Sequence, residues 1–204
     1  MKTRLYLLSV FLLCVVSLCI AALPASDAMT DTNGTPLTTH SASWTINNGG
    51  FTINASNAAS GNSSVNNMAH WNADAFSDDQ YSEVVIASIL STRYPGAAVR
   101  VDASANTGYF CFENTTTLYL RKIIAGSETQ LSSIAVTGAN GDTIRLEVSG
   151  TSLSCYQNSV LKLGPTSDSA IASGSSGIAV FSSGSIDSWE GGNLSSTDDL
   201  MVIQ

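Results

Sequence analysis

Residues 142–150 read DTIRLEVSG, and this stretch decides the fold. Ile144, Leu146 and Val148 alternate with Arg145 and Glu147. An extended chain turns the three apolar side chains to one side and the two charged ones to the other. A helix would scatter the same residues around its circumference. Downstream, Gly150 interrupts the pattern before TSLSCYQ (151–157), and Asn158-Ser159 separates that run from VLKLG (160–164). Gly and Asn tolerate the left-handed backbone that tight hairpin turns need.

The same alternation recurs upstream. In TTLYLRKI (116–123) Leu118 and Leu120 oppose Tyr119 and Arg121, and in AAVRVDAS (97–104) Val99 and Val101 oppose Arg100 and Asp102. Further strands are expected in WTINNGGFTINAS (44–56), DQYSEVVIASIL (79–90), TGYFCFEN (107–114) and SGIAVFSS (176–183). Many short strands with closely spaced turn signals mean two packed antiparallel sheets, each with one buried face. The expectation is an all-β, two-sheet antiparallel sandwich over residues 26–194, followed by a C-terminal extension, 195–204.

Residues 1–25, MKTRLYLLSVFLLCVVSLCIAALPA, set Lys2 and Arg4 before an apolar run closed by small residues. This is the pattern of a secretory signal peptide, an apolar signal helix ahead of the sandwich. The run also approaches the length of a membrane span, so an uncleaved anchor stays open. Either way the expected location is secreted or cell surface, with no membrane insertion beyond this segment. Cys14 and Cys19 fall inside it. Cys111 and Cys155 remain, either as one disulfide or as two separate core thiols. Sixteen acidic residues against eight basic ones give a net charge of −8, which argues against nucleic acid as a partner.

The runs TDTNGTPLTTHSASWT (30–45), FTINASN (51–57), WNADAFSDDQYSEVVIAS (71–88), TGYF (107–110), GDTIRLEVSGTSLSCYQNSVL (141–161), SGIAVF (176–181) and DSWEGGNL (187–194) carry a resemblance. In this order and spacing they resemble the concanavalin A-like modules, specifically the laminin-G-like jelly rolls of bacterial secreted proteins and phage tail proteins. The chain departs from that pattern at Met29, where an aromatic is usual, and at Asn158-Ser159, where Asn-Gly is common. The resemblance implies a jelly roll that often serves as a carbohydrate-binding platform. It also implies that a structural calcium is open, with Asp27, Asn33 and Asp187 as candidate ligands, although no cofactor is required.

Concanavalin A-like folds also house glycosidases, which need two carboxyl groups converging on one bond. The E-x-D-x-E pattern of the β-glucanase relatives is absent. Asp187 and Glu190 are three apart, an odd spacing that sends them to opposite faces of a regular strand. Asp79 and Glu83 share a face, but Tyr81 stands where the glucanase pattern has a central Asp. His40 and His70 belong to no metal-binding spacing, and no G-x-S-x-G elbow is present. No catalytic residue is assigned.

A sugar site needs rings against C–H faces and charged groups for hydroxyls. The outward residues Arg100, Asp102, Tyr119, Arg121, Arg145, Glu147 and Tyr156 form one such patch if their strands are neighbours. Tyr94 in STRYPGAA (91–98) is a competing loop position, while Trp44, Trp71 and Trp189 are expected in the packing. The leading expectation is an exported non-catalytic module binding a glycan or cell-surface polysaccharide. A structural or adhesion module meeting a protein partner is the alternative from another class, and an atypical glycoside hydrolase is the third.

Overall fold

The computed structural model describes residues 23–63 and 66–195. Of the expected signal segment, 1–25, residues 1–22 with Cys14 and Cys19 lie outside the described residues, as does the chain beyond residue 195. The elements begin with β1 (Ala25–Asp27), α1 (Leu37–His40), β2 (Trp44–Asn48), β3 (Phe51–Ile53), β4 (Ala59–Gly61) and β5 (Asn66–Trp71). They continue with β6 (Gln80–Ser88), β7 (Tyr94–Val101), β8 (Gly108–Glu113), β9 (Thr117–Ile124) and β10 (Ser127–Ala135). The last are β11 (Thr143–Ser149), β12 (Ser152–Gln157), β13 (Val160–Ser167), β14 (Ser175–Phe181) and β15 (Ser185–Asn193). No helix among the described residues is long and apolar enough to cross a membrane.

The strands form two antiparallel sheets. The eight-stranded sheet runs β13-β12-β11-β6-β15-β4-β3, with β1 added to β15, and the seven-stranded sheet runs β10-β9-β8-β7-β14-β5-β2. The alternation read from the sequence sets the inner faces: Ile144, Leu146 and Val148 are fully buried, as are Leu118 and Leu120 across the core. Both expected hairpin turns form, with positive φ at Gly150, Asn158 and Ser159. The two-sheet sandwich is as expected, with almost no helix.

Three tryptophans stitch the sheets together. Trp44, Trp71 and Trp189 pack with ring centroids 4.8–5.2 Å apart. Their indole N–H groups donate to Asp27 Oδ2, Asp74 Oδ2 and Ser82 Oγ, so none loses hydrogen bonding through burial.

Two assumptions of strict alternation fail. Ile186 and Trp189 are three apart yet both buried, because the pairing of β15 with β6 shifts register between Ile186 and Ser188. Asp187 is the extra residue of this bulge, so odd spacing no longer sends it and Glu190 to opposite faces. Arg100, expected outside, is 3 % exposed with φ 49°. It sits where β14 skips a residue of β7 between Ser175 and Gly177, and its side chain turns inward. The guanidinium donates to the carbonyls of Asp78 at 3.0 Å, Ile171 at 2.9 Å and Gly150 at 2.8 Å. Arg100 is a structural clamp.

Cys111 on β8 and Cys155 on β12 are both fully buried and free, one from each sheet. Burial, then the neighbouring Cys155 thiol, pushes the Cys111 thiol well up. One layer further along the same two strands, Glu113 hydrogen-bonds Gln157. Burial, then Asp142 beside it, pushes the Glu113 carboxyl up to about 8.

Candidate functional site: the outer faces of the two sheets

The expected single patch does not form. Tyr119 and Arg121 lie on β9 of the seven-stranded sheet, and Arg145, Glu147 and Tyr156 lie on β11 and β12 of the other. The strands are not neighbours, so the residues divide between opposite faces of the molecule. Arg100 is withdrawn into the interior. Asp102, past the end of β7, accepts from Ser104 N at 2.8 Å and Ser104 Oγ at 3.0 Å, which holds its carboxyl below the usual range.

On the eight-stranded sheet, register aligns Tyr156, Arg145, Glu83, Glu190 and Ser26 across five strands. Arg145 places its guanidinium carbon 3.5 Å from the Tyr81 ring centroid and its Nε 2.7 Å from Glu147 Oε1. Its remaining arm lies 3.6 Å from Glu83. Tyr81 donates its phenol to Glu190 Oε1 at 2.6 Å, and burial, then that bond, pushes the phenol up to about 12. A cleft of about 310 Å³ opens beside Asp27, Glu83, Trp189 and Glu190. On this face the charges are largely engaged with one another.

The outer face of the seven-stranded sheet is built differently. Phe110 and Phe112 of β8 stack with centroids 5.5 Å apart and form its floor. Gly96, opposite Phe112 in register, gives that floor its room: a Cβ there would fall 2.0 Å from the Cys111 carbonyl oxygen. Above the floor stand three half-buried rings. Tyr94 meets Tyr119 edge-on at 5.8 Å and Phe181 at 6.1 Å. Arg121 caps the group, its guanidinium carbon 4.5 Å from the Tyr119 centroid and 6.0 Å from that of Tyr94. It also forms an ion pair with Glu128.

Among the described residues two buried polar atoms at this face have no partner, Arg121 Nε and Asn66 Oδ1. Asn66 pairs with Phe181 in register, so it borders the same rings. The 102–107 segment forms a wall, since Asn47 of β2 donates to the carbonyls of Asp102 at 2.6 Å and Ala105 at 3.4 Å. β14 and β5 lie between the strands so joined, hence the segment reaches over them. Asn66 Nδ2 meets Asn106 Oδ1 of this wall at 3.4 Å. Rings, a guanidinium and a carboxamide with unspent hydrogen-bonding capacity share one face.

No protein-family model matches the chain, and no curated protein matches it by sequence. Solved structures do match it. The carbohydrate-binding module CBM66 from Bacillus subtilis is 17% identical with a TM-score of 0.59, over 80% of this chain and 96% of that one. A Crh5 transglycosylase solved with NAG is 9% identical with a TM-score of 0.56, over 86% of each chain. A third structure comes from work on endo-acting O-glycanases that members of the human gut microbiota use to initiate mucin breakdown. It is 8% identical with a TM-score of 0.55, over 84% of this chain and 99% of that one. The chain has their fold. At these identities the likeness goes no further than that.

The other expected residues are dispersed. Asp27 accepts from Met29 N at 2.8 Å and Trp44 Nε1 at 2.8 Å, and it lies 2.9 Å from His40 Nε2. Asn33 is exposed in a turn, and Asp187 is exposed at the β15 bulge. Among the described residues no three or more His, Cys, Asp or Glu gather as metal ligands. Asp79 is held by Ser149 Oγ at 2.9 Å and Gly150 N at 2.7 Å, whereas Glu83 faces Arg145. The direct opposition of Glu83 and Glu190 on neighbouring strands carries no sequence signal, since the two positions are far apart in the chain. Phe181 and Asn66 were equally hidden, because only the pairing of β14 with β5 and β7 brings them to Tyr94.

Proposed function

We propose that the chain is an exported, non-catalytic module that binds glycan at or near the cell surface, through the outer face of its seven-stranded sheet. The observation that carries this reading is the group of Tyr94, Tyr119 and Phe181 under Arg121, with Arg121 Nε and Asn66 Oδ1 left without partners among the described residues. Rings cover the apolar faces of a sugar, and a guanidinium and a carboxamide serve its hydroxyls. The carbohydrate-binding module among the structural neighbours supports the choice of ligand class. The basic start and apolar run of the N-terminal segment support export. A glycan array tests the reading: wild type retains at least one oligosaccharide, and Y119A loses roughly 10-fold or more in affinity, the loss of a central aromatic contact costing about 1.4 kcal/mol or more. Failure to bind any glycan, together with capture of a protein, would favour the adhesion alternative.

One observation favours a second reading, glycoside hydrolysis. Glu83 and Glu190 stand directly opposite across β6 and β15, beside the cleft that Asp27 also lines. Directly opposed cross-strand residues have Cβ atoms roughly 4.5–5.5 Å apart, within reach of the carboxyl spacing that retaining glycosidases use. The Arg145 and Tyr81 contacts that already engage this pair count against it. Release of reducing sugar that vanishes in both E83Q and E190Q would establish hydrolysis.

A further inference from the structure

At the end of β6 in the eight-stranded sheet, strand register sets three serines in a row. Ser185 of β15 stands opposite Ser60 of β4 on one side and Ser88 of β6 on the other. All three line a cavity of about 380 Å³, together with Ser183, with Asn54 from the turn after β3, and with Arg93. The turn after β6 brings Arg93 there, its N–H donating to the Leu90 carbonyl at 3.1 Å. Among the described residues no acidic side chain lines this cavity. In a chain with sixteen acidic residues against eight basic ones, the place is set apart by its charge.

The groups around it have hydrogen-bonding capacity left. Among the described residues Arg100, Arg121 and Arg145 each lie within ion-pair distance of a carboxylate, whereas Arg93 makes no ion pair and no side-chain hydrogen bond. Ser185 is 2 % exposed, and its hydroxyl likewise has no partner among the described residues. A buried hydroxyl left unpaired is costly, so a group that enters the cavity and pairs with it gains that free energy back. Asn54 Oδ1 accepts from Ser56 N at 2.8 Å and Ala58 N at 3.3 Å. Those two bonds fix the orientation of the carboxamide and leave the hydrogens of its Nδ2 for another acceptor.

We infer that this cavity binds a tetrahedral oxyanion, a sulfate or phosphate group, with Arg93, Ser185 and Asn54 Nδ2 donating to its oxygens. The guanidinium offers a planar fork of donors that matches two oxygens of such a group at once. Hydroxyls and a carboxamide from three further elements serve an acceptor whose oxygens point in several directions. A neutral sugar would bring donors of its own and leave the charge of Arg93 unanswered. The cavity is larger than a bare ion, so it has room for part of a carrier, such as a sugar ring esterified with sulfate. It belongs to the other sheet from the Tyr94, Tyr119 and Phe181 face, and the inference does not rest on what that face binds.

The test is calorimetric titration and thermal unfolding of the full chain with sodium sulfate, sodium phosphate, glucose 6-sulfate and glucose. Chloride at equal ionic strength is the reference, which separates binding from the general effect of salt. Sulfate at ten times its dissociation constant should raise the Tm of wild type by about 4 °C, with one ion bound per chain. R93Q should weaken binding roughly 10-fold or more and S185A several-fold. K162Q, which removes a positive charge elsewhere, should keep the response. Unfolding in chloride shows that each variant folds. Glucose 6-sulfate binding at least 10-fold tighter than sulfate assigns the site to an ester carried on a sugar, and equal affinities assign it to the free ion. Identical Tm in sulfate, phosphate and chloride with no heat in wild type overturns the inference. So does full affinity in R93Q, or glucose binding as tightly as glucose 6-sulfate with R93Q weakening both alike.

Discussion

His40 bridges two carboxylates, with Nε2 2.9 Å from Asp27 Oδ1 and Nδ1 3.2 Å from Asp31 Oδ2. Burial works against its charged form, but the hydrogen bond and charge of Asp27, then those of Asp31, outweigh this and raise the ring above its usual value. A group raised in the folded state stabilises fully below its unfolded pKa, about 6.5, and loses that contribution as pH rises through the folded value. His70 is shifted the other way by burial, only partly offset by Asp102, so its neutral form is favoured and it costs stability as pH falls below about 6.5. The two oppose each other in wild type. H40Q should therefore remove the loss of Tm on going above pH 6.5, and H70Q should remove the loss below it, both read from Tm against pH. A second expectation belongs to the thiols. Refolding with oxidised glutathione should join Cys111 to Cys155, each thiol giving up one proton and one electron and the glutathione leaving as two thiols. The intact mass should fall by about 2 Da, and unfolding free energy should rise by about 4 kcal/mol for a loop of this length. In a chain without residues 1–22, which carry Cys14 and Cys19, two thiols per chain titrating after unfolding of the refolded protein would refute the pairing.

At the scale of elements, legibility followed burial of one face. β9, β11 and β12 were visible because one side of each strand is fully buried and the other wet, which writes period two into the sequence. β10 was not, since SETQLSSIA lies at a sheet edge, half or fully exposed on both sides. β5 was not: NNMAHW is buried on both sides and takes no alternation, and it lacks the aromatic run that made the equally buried GYFCFE of β8 legible. Arg100 shows the converse error: its place between Val99 and Val101 fitted the pattern, yet a register shift turned it inward. Because it ties together the approach to β6, the turn after β11 and the chain before β14, R100M should cost about 3 kcal/mol in urea unfolding. R100K should recover little, as an ammonium cannot span three carbonyls held by a planar fork. A loss under 1 kcal/mol in R100M would refute the clamp.

For the whole molecule, the sandwich could be read from local alternation and turn chemistry, because both operate within a few residues. The candidate site could not, since it depends on which strands become neighbours. The outward residues of β9 and β11 read as one patch until strand order put them on opposite sides. Tyr119 and Arg121 found new neighbours in Tyr94, Phe181 and Asn66, and Arg145 and Glu147 found theirs in Tyr81, Glu83 and Glu190. One side closes its charges on themselves. The other holds rings and buried hydrogen-bonding atoms without partners among the described residues, and this contrast is the basis for assigning ligand to the seven-stranded sheet. The most direct measurement is calorimetric titration of an oligosaccharide retained on the array into wild type, Y94A, Y119A and an E83Q/E190Q double variant. Loss of roughly 10-fold or more in affinity in Y94A and Y119A, with the double variant unchanged, is the predicted result. Full affinity in both tyrosine variants, or its loss in the double variant, would contradict the assignment.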